Sequence, residues 1–147
     1  MRLTNILIKK ITTMKKSVFF FLIFCCSLYC FSQTKTYQLS SHILDNSTGE
    51  PAPSVSVTLQ KMNVDNSWTK VSTQITDKDG RIGNFLPYGQ NNDGVYKLVF
   101  HIESYFDRKK LQTFYPFIEI VFHIKGDKHF HVPLTLSPYG YSTYKGS

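Results

Sequence analysis

The amino-acid sequence predicts an all-β protein, a sandwich of two antiparallel sheets with one short helix. Two observations carry this expectation. Apolar residues recur at every second position through several separate runs, as they do in strands with one buried face. Clusters of turn-forming residues fall between those runs at the spacing expected of a sandwich.

The elements follow in chain order. Val55, Val57 and Leu59 alternate with Ser56, Thr58 and Gln60. Trp68 to Ile75 is a further β-rich run. Tyr96, Leu98, Phe100 and Ile102 alternate with Val95, Lys97, Val99 and His101, and Ile118, Ile120, Phe122 and Ile124 alternate with Phe117, Glu119, Val121 and His123. The segment from His129 to Leu136 completes the set. Turn chemistry separates these runs at Asn46 to Gly49, Asp77 to Gly80, Gly89 to Gly94 and Gly126-Asp127. The spacing predicts a helix over Ser104 to Leu111, capped by Ser104, with Asp107 favouring its first turn.

The first thirty-two residues read differently. Lys9, Lys10, Lys15 and Lys16 precede an apolar run from Val18 to Phe31, which is short for a membrane span and of the length of a secretory h-region. Residues 1–32 are therefore expected to be a cleaved signal peptide, starting at Met1 or Met14, with one domain over residues 33–147 in the periplasm or outside the cell. Lipid attachment at Cys30 is the alternative, though Leu28 and Tyr29 before it fit poorly.

Removing that segment changes the electrostatics. Of 17 Lys+Arg, five precede Gln33, leaving 12 against 10 Asp+Glu, a net charge of +2 in place of +7. Nucleic-acid binding loses its main support. The three cysteines, Cys25, Cys26 and Cys30, all lie in the leader, so the mature chain forms no disulfide. A small domain without cross-links gains from association.

Strand parity orients the histidines. In His129-Phe130-His131-Val132-Pro133-Leu134, both imidazoles fall on one face and Phe130, Val132 and Leu134 on the other. His42 likewise shares a face with Ser40, opposite Leu39 and Ile43. Three outward histidines read as scattered surface groups, which converge only if the sheets pack on another copy. A three-histidine zinc site is the weaker alternative, since the motif is short and no supporting carboxylate is identifiable in the sequence. Asp79-Gly80-Arg81 reads as a solvated hairpin turn.

Three blocks in order, LSSHILDNSTGEPA (Leu39 to Ala52), TDKDGRI (Thr76 to Ile82) and the closing Tyr144-Lys145-Gly146-Ser147, resemble the 5-hydroxyisourate hydrolases, the enzymatic members of the transthyretin family. The resemblance covers the chain from Tyr37 onward. It implies a transthyretin-like (prealbumin-like) sandwich and a homotetramer built from two sheet-extended dimers. It implies hydrolysis of 5-hydroxyisourate to 2-oxo-4-hydroxy-4-carboxy-5-ureidoimidazoline in urate catabolism, with no metal or other cofactor.

Matched residue by residue, the resemblance implies His42, Arg81 and His131 as catalytic residues. Tyr144, Lys145, Gly146 and Ser147 would bind substrate. Lys145 departs from the arginine usual in the family, keeping the charge but losing the planar bidentate fork. Imidazole suits the chemistry because its pKa lies near working pH. Arg81 would bind ring carbonyls and hold a neighbouring histidine neutral. The other function class is an exported transthyretin-like binding or carrier module without catalysis, which shares the fold but does not require these residues together.

Overall fold

A computed structural model of the protein describes residues 36–146; the expected signal peptide and Ser147 lie outside the described residues. Nine strands and one helix follow in order: β1 Tyr37–Asp45, β2 Glu50–Pro51, β3 Ser56–Met62, β4 Trp68–Ile75, β5 Arg81–Pro87, β6 Gly94–His101, α1 Glu103–Arg108, β7 Ile118–Ile124, β8 Phe130–Ser137 and β9 Gly140–Thr143.

The strands form the two sheets of a sandwich. One runs β2-β1-β8-β9, with β5 pairing the same edge of β1 beyond β2, and the other runs β4-β3-β6-β7. Pairing is antiparallel throughout except between β1 and β8, which run parallel. That pair joins residues some ninety positions apart, with Leu39 beside Phe130 and Ser40 beside His131. The alternation behind the sandwich expectation does not distinguish the two directions.

The alternating residues fill the space between the sheets. Val57, Leu59, Tyr96, Leu98 and Phe100 are buried from one sheet, and Leu39, Ile43, Val132, Leu134 and Leu136 from the other. Each such side chain withdrawn from water contributes about 1.5–3 kcal/mol. Their strand neighbours, Ser56, Thr58, Ser40 and His42, stay partly accessible on the outer faces.

The helix departs from its expected bounds. It begins at Glu103 and ends at Arg108, its N-cap position is Ile102, and no side chain caps it. Ser104 lies inside the first turn. What holds the helix is burial of Tyr105 and Phe106 together with a polar anchor at the end of β1. The fully buried Asp45 carboxylate accepts hydrogen bonds from Tyr105 Oη at 2.9 Å and Lys109 Nζ at 2.7 Å, and from the Ser47 amide and hydroxyl. Burial alone would raise its pKa, but the bonds from Lys109, Ser47 and Tyr105 outweigh that and bring it to about 2.

Candidate active site

The Asp77 to Gly80 turn positions the first site residue. The Asp77 carboxylate accepts from the amides of Asp79 at 2.9 Å and Arg81 at 2.8 Å, closing the loop on itself. Gly80 has φ +69°, and its carbonyl accepts from the Ile43 amide at 2.9 Å. A Cβ at this position would lie 2.5 Å from the Ile43 carbonyl oxygen, so only glycine lets the turn press this close to β1. Arg81, the first residue of β5, thereby comes directly opposite His42.

The neighbouring strand supplies the second histidine. On β1 the residues Ser40 and His42 share the outer face, and Ser40 lies beside His131 of β8. Arg81, His42, Ser40 and His131 therefore occupy one face of one sheet within a single chain. Parity correctly turned the histidines outward. The expectation that they are scattered fails because β1 and β8 are adjacent, which the sequence does not reveal.

Ser40 is the residue that the sequence reading passed over. Its Oγ lies 2.9 Å from His129 Nε2 and 2.8 Å from His131 Nδ1, linking both imidazoles. His129 Nδ1 in turn lies 3.2 Å from the Tyr37 carbonyl oxygen. A serine at outward parity in a strand looks like any solvated hydroxyl, and the only available signal was its shared parity with His42.

The closing residues continue β9 along the edge of β8. The pairing of Leu134 with Thr143 extends in unchanged register to a bridge between His131 and Gly146, whose amide donates to the His131 carbonyl at 2.9 Å. Gly146 abuts the imidazole: a Cβ there would come within 2.5 Å of His131 Cδ2 and 3.1 Å of its Cβ. Tyr144 and Lys145 lie between these two pairings, outside the strand itself. Lys145 is exposed, with its Nζ 5.9 Å from the centre of the Phe130 ring.

The site electrostatics favour a neutral His42. Its pKa is lowered from 6.5, first by burial and then by the positive charge of Arg81, while a hydrogen bond to the backbone of Asp79 and the carboxylates of Asp77 and Asp79 act in the opposite direction. No group of three His, Cys, Asp or Glu side chains among the described residues is arranged to hold a metal ion. A groove of about 370 Å³ opens between the edge strands β7 and β9, lined in part by Phe122, Phe130, His131, Tyr144 and Lys145. His42 and Arg81 are not in its wall.

The fold agrees with what the chain is similar to. Residues 39–146 match the model of the HIUase/Transthyretin family. The 5-hydroxyisourate hydrolase of Salmonella dublin is 52% identical over 110 residues, covering 74% of this chain and 80% of that protein. The structure of Klebsiella pneumoniae 5-hydroxyisourate hydrolase superposes with a TM-score of 0.65 at 34% identity, covering 77% of this chain and 95% of that one. Sea bream transthyretin in complex with thyroxine gives a TM-score of 0.70 at 32% identity, over 74% and 94% of the two chains. With its sandwich topology and its matched span, this chain belongs to the HIUase/Transthyretin family.

Proposed function

We propose that this protein hydrolyses 5-hydroxyisourate to 2-oxo-4-hydroxy-4-carboxy-5-ureidoimidazoline, a step of urate degradation. The observation that carries the reading is the grouping of Arg81, His42 and His131 on one sheet face with Gly146 closing against His131. A water must lose a proton as it attacks the cyclic amide, the carbonyl oxygen must be stabilised as it gains charge, and the departing ring nitrogen must receive a proton. His131 and His42 serve the proton transfers, each positioned acid-base group being worth ~10² to 10⁴-fold. Arg81 is always cationic; it draws the electron-rich ring carbonyls and helps keep His42 neutral.

The outward face completes a cleft when a second copy covers it, and the active species is proposed to be a homotetramer of two sheet-extended dimers. Tyr144, Lys145, Gly146 and Ser147 are proposed to bind substrate, Gly146 being the one bridged to His131 of β8. Residues 1–32 act as a signal peptide and direct the domain to the periplasm or outside the cell.

The likeness to thyroxine-bound sea bream transthyretin supports a second reading, a carrier of small aromatic molecules on the same face. Decay of freshly generated 5-hydroxyisourate, followed by absorbance, separates the two. A hydrolase accelerates it and a carrier leaves the spontaneous rate unchanged.

A further inference from the structure

His129, Ser40 and His131 form a hydrogen-bonded chain whose direction is set at one end. The Tyr37 carbonyl oxygen can only accept, so the ring nitrogen facing it, His129 Nδ1 at 3.2 Å, carries a proton. A neutral imidazole has one N–H, which leaves His129 Nε2 as a lone-pair acceptor. That nitrogen, 2.9 Å from Ser40 Oγ, takes the single hydroxyl proton Ser40 has to give. Ser40 then faces His131 Nδ1 at 2.8 Å with lone pairs alone, so His131 Nδ1 must be the donor.

We propose that Ser40 and His129 are positioning residues that hold neutral His131 as its Nδ1–H tautomer and place its lone pair on Nε2, making His131 the general base. The inference rests on the hydrolase reading for the base role, whereas the tautomer is read from the bonds through Ser40. It divides the labour between the histidines. His131 removes the proton from water at Nε2, forming an imidazolium whose Nδ1–H is held by Ser40, and the proton gained at Nε2 is then delivered to the departing ring nitrogen. Gly146 complements this arrangement by fitting against the Cδ2 edge of the same ring, where an added Cβ would force the ring or the closing segment to move.

The test is long-range proton–nitrogen NMR on the whole protein labelled with ¹⁵N-histidine, at a pH where both rings are neutral, alongside steady-state kinetics. Wild type should show the pattern of a protonated Nδ1 and an unprotonated Nε2 for both His129 and His131. Ser40→Ala should lose the fixed His131 pattern and drop kcat about 10-fold or more with KM changed less than about twofold, on the scale of a mispositioned acid-base group. Ser40→Thr retains the hydroxyl and should restore both. Turnover by wild type with His131 in the Nε2–H form overturns the inference and leaves the hydrolase reading standing, as does Ser40→Ala with unaltered kcat and tautomer. An inactive wild type overturns the base role together with the hydrolase reading, whatever its tautomers.

Discussion

His42 and Arg81 face each other across two strands, and their coupling sets a pH dependence whose sign can be worked out. Burial and the guanidinium lower the His42 pKa below 6.5, so the neutral ring persists to more acid pH than in a free side chain. Its contribution to folding is present above about pH 6.5 and is lost as pH falls through the lower folded value. Replacing Arg81 by Gln removes the repulsion. The acid limb of kcat/KM attributable to His42 should move to higher pH, towards 6.5, while turnover falls at least ~10²-fold with the fold intact by circular dichroism.

Gly146 is a second residue whose replacement tests the site. An added Cβ would overlap the His131 ring, so Gly146→Ala must shift either the closing segment or the imidazole. The expected outcome is a loss of turnover of about 10-fold or more with little change in melting temperature, because Gly146 is at a partly exposed edge outside the core. Alternation predicted the outward orientation of His42 and His131 correctly. It could not show their neighbours, since parity reports only which side of a strand a residue faces.

Among the elements, those with strong alternation were legible from their residues. The runs about Val57, Leu98 and Ile120 became β3, β6 and β7, and Trp68 to Ile75 became β4. Strands β5 and β9 were not assigned from the pattern. RIGNFLP is broken by two register shifts against β1, and GYST is a short edge with no buried face. The helix was found but its cap was not, because its anchor is distant in sequence: Asp45 holds Tyr105 and Lys109 from the far end of β1.

That anchor predicts acid sensitivity. The folded pKa of Asp45 is about 2 against 3.8 in an unconstrained side chain, so its contribution is fully present above about pH 4 and disappears as pH falls towards 2. The shift corresponds to a contribution on the order of 2 kcal/mol. Asp45→Asn should lower stability at pH 7 by about that amount in urea unfolding and flatten the acid limb of the stability curve. Equal acid sensitivity in variant and wild type would show that Asp45 is not the group being titrated.

At the scale of the whole molecule, the open edges β7 and β9 and the outward catalytic face are both left to a partner copy in the proposed assembly. Light scattering on the purified mature protein should give about four times the mass of one mature chain. A monomer with full turnover at assay concentration would contradict the placement of the cleft between copies. Three ordered motifs carried the family and the candidate residues from the sequence, whereas the serine link between the histidines required the parallel pairing of β1 and β8.

Whether this face catalyses ring opening of 5-hydroxyisourate is decided by comparing wild type with His131→Ala on freshly generated substrate. Wild-type protein should accelerate the absorbance decay far above the spontaneous rate, with chelator present, and the variant should lose at least ~10²-fold while remaining folded. Decay at the spontaneous rate with folded wild-type protein would contradict the hydrolase assignment. Near-wild-type turnover in His131→Ala would exclude His131 from the catalytic step.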